Sequence, residues 1–240
     1  MSSDFSQLTP FTVNPEVLAA IRPMRPDDCH AVGMLHLRAM GHSLWARLGL
    51  SFLETLYTQL LRNPLFIAYV YEEDGDIGGF VAGTSDSNRL FSTTLRYSWY
   101  RLLIPVLSGL LRHPSLIVHL VRTHTYFARS DNAGASIKAE SLFCSFKPNL
   151  RGTRISGHIN KVLFEHMLSL GITKVKITTE IDNEGANRQL RSWGFCVLKQ
   201  FEFYGKPMVT YTLDLPGHPR LQMPADKATQ SAESTPVTAG

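Results

Sequence analysis

The 240-residue chain is short of cysteine and of charge. Its three cysteines, Cys29, Cys144 and Cys196, are odd in number, far apart and set among apolar neighbours, which leaves no disulfide framework and no CxxC metal or redox site. A reducing, cytoplasmic setting is expected. Charged residues make up 18% against 44% hydrophobic and 10% aromatic, a balance that excludes a disordered chain and supplies a sizeable core. The net charge of +4 suits an anionic ligand, but no long basic run is present and no nucleic-acid partner is expected. Also absent are HExxH, GxSxG, GxGxxG and GxxxxGK[ST], which removes sequence support for a zinc protease, a serine hydrolase, a dinucleotide enzyme or an NTPase. Nine histidines, among them His113, His119 and His124, show no metal-ligand spacing, so no metal is expected. The first residues lack a basic stretch followed by an apolar one, and no secretory signal is expected.

The nearest approach to a membrane span is Trp99 to Val121, interrupted by Arg101, Pro105, Arg112, His113 and Pro114. No transmembrane span is expected, and a pair of short amphipathic helices explains the stretch better. The first twenty residues and the last twenty-five, from Pro216, read as tails. Between them Ile21 to Met24 reads as an edge strand, Asp27 and Asp28 open a helix, and Phe52 to Leu61 repeats apolar residues at helical spacing. Phe66 to Tyr71 and Ile77 to Gly83 flank an acidic turn as an antiparallel hairpin, and a helical insertion follows over about 89–129. Ser141 to Phe146 is apolar on both alternating faces, as a central strand is. A helix from Ile155 and a strand over Lys174 to Thr179 then require a parallel crossover. A helix over Ala186 to Ser192 and two closing strands, Val197 to Phe203 and Val209 to Leu215, complete the order of an α/β domain over 21–215.

In Phe146-Lys147-Pro148-Asn149-Leu150-Arg151-Gly152-Thr153-Arg154-Ile155-Ser156 a buried strand turns into a helix, exposing backbone N–H groups at the positive end of a helix, where phosphate oxygens bind. On these grounds alone an ordinary loop with solvent-facing arginines accounts for it equally well. Downstream stands Asn183-Glu184-Gly185-Ala186-Asn187-Arg188-Gln189-Leu190-Arg191-Ser192-Trp193-Gly194-Phe195. Together the two segments resemble the GNAT superfamily of N-acetyltransferases, whose patterns are V-x-P-x-x-R-G-x-G-x-G/A and N-x-x-A-x-x-x-[YL]-x-x-x-G-F. Either alone is weak; both, in order and correctly spaced, are specific. The resemblance covers most of Ile21 to Leu215, leaving out the tails and the insertion. Three positions depart from the family: Arg154 where glycine is preferred, Ser156 where Gly or Ala is usual, and Leu190 where many members place a tyrosine thought to protonate the leaving thiolate.

The resemblance implies a mixed, splayed central sheet with helices on both faces, and transfer of an acetyl group from acetyl-CoA to a primary amine. The pyrophosphate is expected on the amides of Arg151, Gly152, Thr153, Arg154, Ile155 and Ser156, and the pantetheine arm beside the strand carrying Cys144 and Phe146, with Asn183 helping to hold the cofactor. Glu140 stands where many family enzymes carry the general base, with a merely solvated strand-end glutamate as the competing reading. The Phe146 amide is expected to stabilise the oxyanion. Tyr204 is a candidate thiolate protonator, a packing tyrosine being the competing reading. The acceptor is expected to be a small metabolite, and the protein a monomer or homodimer. The insertion is expected to shape acceptor choice, serve structure, or dock on a membrane surface or a partner. Competing functions are a non-catalytic acyl-CoA-binding or interaction protein and an acyltransferase using a longer acyl-CoA.

Overall fold

The computed structural model describes residues 5, 8, 11–41, 43–112, 114, 137–150, 152–203 and 205–221. Seven strands, β1 (Ile21–Pro23), β2 (Phe66–Glu73), β3 (Asp76–Thr84), β4 (Glu140–Phe146), β5 (Lys174–Glu180), β6 (Cys196–Phe203) and β7 (Lys206–Asp214), form one sheet in the order β1-β2-β3-β4-β5-β7-β6. Every pairing is antiparallel except β4 with β5. The β2–β3 hairpin turns through Asp74 and Gly75, both at positive φ (53° and 77°), which matches the right-handed twist of the strands it joins.

Alternation along the strands divides the core into two layers. On one face Ala68, Val70, Phe80 and Ala82 meet α2 (Cys29–Ala39), α4 (Leu50–Leu60) and α5 (Ser87–Arg112). On the other, Ile67, Val81, Val175 and Tyr211 meet α6 (Ile155–Ser169) and α7 (Glu184–Ser192). α6 buries Ile159, Leu163, Phe164 and Met167, the face expected from its 3.6-residue period. The edge strand β1 is tied down by Arg22, whose guanidinium grips Asp28 at 2.7 and 2.8 Å and Glu72 at 2.5 Å.

Both ends of the packed chain run further than expected. Helix α1 (Pro15–Ala19), capped by Asn14 Oδ1 accepting from Glu16 N, falls inside the presumed N-terminal tail. Phe11 packs its ring 4.6 Å from that of His158 on α6, where Gly157 leaves the room: a Cβ there would lie 2.9 Å from the Phe11 ring. At the other end His218, fully buried, donates from Nε2 to the Trp193 carbonyl at 2.9 Å and stacks on the Trp193 ring. Apolar contact and one satisfied histidine at each end fix segments whose composition alone reads as loop.

The insertion also differs from expectation. Over its described part it is one helix of 26 residues, α5, that passes through Pro105 without a break; whether a second helix follows Pro114, as expected, falls outside the described residues. Proline forfeits one N–H and crowds the carbonyl four residues back, a cost of about 3 kcal/mol that packing along the rest of the helix offsets. Gly109 lets this helix come close to the chain at Leu48, whose carbonyl would lie 2.8 Å from an added Cβ. Residue 113 and residues 115–136, which include the remainder of the insertion, lie outside the described residues.

Candidate active site

Strands β4 and β5 pair only at Glu140–Lys176 and Ser141–Ile177, then diverge. At the point of divergence β4 carries a bulge: Ala82 faces Phe143 and Gly83 faces Ser141, so Leu142 is the extra residue. Beyond it Lys147 N donates to Gly78 O, and an antiparallel ladder alternates its direction residue by residue. Lys147, Ser145 and Phe143 therefore turn their backbone groups to β3, while Cys144 and Phe146 turn theirs toward the side β5 has left. The result is a wedge-shaped cleft of about 150 Å³ with an unpaired strand edge along one wall. Leu142 and Cys144 line that wall, Ile177 to Thr179 the opposite one, and Asn160, Asn183 and Leu190 close it from the helices.

At the wide end the chain leaves β4 through a short turn at Pro148–Leu150 and enters α6. Gly152 has φ +83° with open space around it, and Arg154, the residue before the helix, has φ +64°. A non-glycine residue in this region costs about 1 kcal/mol. Arg154 thus keeps the backbone shape for which glycine is preferred, and adds a guanidinium stem. Gly157 N and His158 N both fold back to the Arg154 carbonyl (2.9 and 3.3 Å), closing the first turn, while the amides of Ile155 and Ser156 stand at helix positions that have no carbonyl one turn earlier to bond. That carbonyl is held as well by His158, whose Nδ1–H donates to it at 2.9 Å because Nε2 accepts from Asn14 N at 2.9 Å. The N-terminal segment therefore braces the loop through a neutral histidine of fixed tautomer. Thr153 Oγ donates to the Leu150 carbonyl at 2.6 Å, which tightens the turn.

Glu140 opens β4 at the narrow end. Its carboxylate lies 3.7 Å from Lys176 Nζ and accepts a hydrogen bond from Ser87, the first residue of α5. Loss of solvent pushes its pKa up, and the Lys176 charge and the Ser87 hydroxyl oppose that shift without cancelling it. A carboxylate so placed is a stronger base than an exposed one.

Of the other expected site residues, Cys144 lies in the cleft wall with its thiol raised to about 12 by burial, and Asn160 Nδ2 is 3.7 Å from its sulfur, so it packs as a neutral group. Phe146 lies at the far end of the strand, its ring over Gly79, where any Cβ would collide. The cleft closes at Ser141, five residues and roughly 17 Å away. The Cys144 amide is thus nearer to the vertex than that of Phe146, the amide expected to meet the oxyanion. Asn183 lines the cleft and also caps α7, its Oδ1 accepting from Ala186 N at 3.2 Å. Leu190 is buried against the same space, which puts a hydrocarbon where the family pattern allows a phenol. Arg151 and Tyr204 lie outside the described residues. Sequence reading missed Asn160, Thr178, Gln189 and Met40 in the lining and Ser87 beside Glu140. Asn160 was within reach, standing one helical turn after Ser156; Ser87 and Met40 carry no local signal and arrive only through the fold. Among the described residues no cluster of His, Cys, Asp or Glu fit for a metal is present.

No protein-family model matches this chain, and no curated protein matches it in sequence. Solved structures do match its shape. Ard1 from Thermoplasma volcanium is similar with a TM-score of 0.51 and 13% identity, over 81% of this chain and 96% of that one. The ribosomal-protein-S18-alanine N-acetyltransferase from Escherichia coli gives 0.53 and 10%, over 81% and 92%. A ribosomal-protein-alanine N-acetyltransferase from Brucella melitensis gives 0.52 and 16%, over 81% and 99%.

Proposed function

We propose that this chain, whose fold is that of the GNAT N-acetyltransferases, moves an acetyl group from acetyl-CoA to a primary amine by direct attack in a ternary complex. The observation that carries this reading is the cleft between β4 and β5, with an unpaired strand edge on one side and a helix N-terminus at its mouth. An acyl-pantetheine arm is a chain of amides that adds to a free strand edge, and a pyrophosphate suits the first-turn amides of α6, with Arg154 as the residue before the helix.

The steps follow from the groups present. An ammonium acceptor first loses a proton to reach its reactive neutral form, and Glu140 accepts it directly or through water. The amine nitrogen then attacks the thioester carbonyl, and the Cys144 amide donates to the oxyanion that forms. Collapse breaks the C–S bond; Glu140 having passed the first proton on to solvent, it or water takes the second proton from the nitrogen, and the thiolate takes one from water, since Leu190 has none to offer. Lys176 holds the carboxylate in place at the expense of some basicity.

A small metabolite is our reading of the acceptor, the one acidic run of the sequence being the short turn Glu72 to Asp76 between β2 and β3. The neighbours named for ribosomal-protein alanine make a protein amine the alternative. Leu190 and Arg154 favour a second reading, an acyl-CoA-binding protein without turnover. Glu140→Gln separates the two. It is expected to lower the acetyl transfer rate about 100-fold while leaving the acetyl-CoA-induced rise in thermal midpoint intact. A wild-type protein that is stabilised by acetyl-CoA yet transfers to no amine in a broad panel supports binding alone, and no stabilisation by any CoA thioester removes both.

A further inference from the structure

Helix α5 is built inside out. The residues it buries, Ser87, Leu90, Thr94, Ser98, Leu102 and Gly109, are mostly polar or small, and the polar ones find partners: Ser98 Oγ donates to Gln59 at 3.0 Å, and Asn63 Nδ2 donates to Thr94 at 3.0 Å and to Thr93 at 2.8 Å. On the opposite side Tyr100, Leu103, Ile104, Leu107 and Leu111 recur at intervals of three, one, three and four residues and stand in solvent, Ile104 at 75% and Leu111 at 84% exposure. Tyr97 and Trp99 flank this stripe, also exposed. A face of this kind has the spacing of a core-facing helix and, among the described residues, no core to face.

The charge on the helix says what covers it. From Ser87 to Arg112 there are four arginines, at 89, 96, 101 and 112, the last turned toward the chain at Gly49, and no aspartate or glutamate. The sequence holds that sign onward, the next acidic residue being Asp131. Arg96 lies against the Tyr97 ring, and Arg101 lies over the Tyr100 ring and donates from Nε to its hydroxyl at 3.0 Å, so the cations sit beside the aromatic rings rather than apart from them. A second copy docked face to face would set these arginines against one another. A bilayer with anionic headgroups fits every part: aliphatic side chains enter the acyl boundary, tyrosine and tryptophan settle at headgroup level, and arginines reach the lipid phosphates.

We propose that the outer face of α5 docks this protein on anionic lipid bilayers, lying in the interface. No helix among the described residues is long and apolar enough to cross a membrane, and none is needed for this. The docked helix begins at Ser87, whose hydroxyl bonds the Glu140 carboxylate, so the bilayer would lie along the helix that starts against that residue. The proposal stands on the helix surface and holds whether or not the chain transfers acetyl groups.

The test is co-sedimentation of the full chain with vesicles of equal parts phosphatidylcholine and phosphatidylglycerol, and with phosphatidylcholine alone. Binding to the anionic vesicles is expected to be at least about tenfold tighter and to weaken with salt. Trp99 emission is expected to shift to the blue on binding, a shift that Trp99→Phe removes. The double variant I104S/L111S is expected to keep the wild-type thermal midpoint and lose the vesicles, and R96Q/R101Q to lose the preference for anionic lipid. No sedimentation with anionic vesicles overturns the proposal, as does unchanged binding by both double variants. Concentration-dependent self-association that I104S/L111S abolishes, without vesicle binding by the wild type, assigns the face to a second copy instead.

Discussion

Helices α5 and α6 lie on opposite faces of the same sheet and treat their apolar residues in opposite ways. α6 presses Ile159, Leu163, Phe164 and Met167 into the core and leaves Arg154 and Gly152 at its mouth. α5 presses threonine and serine inward and turns leucine, isoleucine and tyrosine out. The contrast teaches that helical periodicity reports how many apolar faces a helix has, not which of them meets the protein. On α6 the single apolar face must be the buried one. On α5 the backbone approach at Gly109 and the paired hydroxyls of Thr94 and Ser98 decide the inner side, and the apolar stripe is left outside.

Truncation of each helix should break the comparison first. Phe164→Ala removes a ring packed against Trp193 and Phe195 and is expected to cost about 3–5 kcal/mol in chemical denaturation. A loss below 1 kcal/mol would mean that α6 is not the anchored partner. Acid sharpens the contrast next, because each face of the sheet holds buried histidine. His36, on the α5 side, shares a 2.7 Å hydrogen bond with Tyr57 and has its pKa lowered to about 4 by burial, against an ordinary 6.5. A depressed histidine is bound by more protons unfolded than folded, so its contribution is full above about 6.5 and is lost as pH falls toward 4, by roughly 3 kcal/mol over that span. Denaturant titrations at a series of pH values check this, and His36→Gln is expected to flatten the slope.

A smaller effect concerns the mouth of α6. Arg154→Gly relieves a left-handed residue and is expected to raise stability by about 0.5–1 kcal/mol while weakening the salt dependence of acetyl-CoA binding. Stability that falls on this change would show that the arginine stem contributes packing at that turn. The smallest effect is expected on the outer face of α5: Ile104→Ser in the absence of lipid should stay within about 0.5 kcal/mol of wild type, and a larger loss would show that the stripe is covered in solution.

How much of this was legible differs between the two halves. The crossover from β4 through α6 to β5 and the strand-to-helix turn over 146–156 follow from local pattern, because proline and glycine act on the residues next to them. The splayed sheet with helices on both faces was expected from the two motifs and is the observed architecture. Glu140 was singled out because it heads β4 where many enzymes of the resembled family carry a general base, but its partners were not, since Lys176 and Ser87 reach it from another strand and from the start of α5. The inner parts of the two expected tails, 11–20 and 216–221, pack on the domain although a short helix and a few aromatic contacts leave little periodicity to detect, and 222–240 lie outside the described residues.

The sequence by itself determined the order of elements, the turn between strand and helix that exposes amides for an anion, and the hydrocarbon at Leu190, for these depend on neighbours along the chain. Only the tertiary structure decided that β4 and β5 part after two pairs, that Glu140 meets Lys176 and Ser87, and that α5 wears its apolar stripe outward. Those are outcomes of contacts between residues tens of positions apart, and a side chain's burial and charge environment are set by what the fold brings to it.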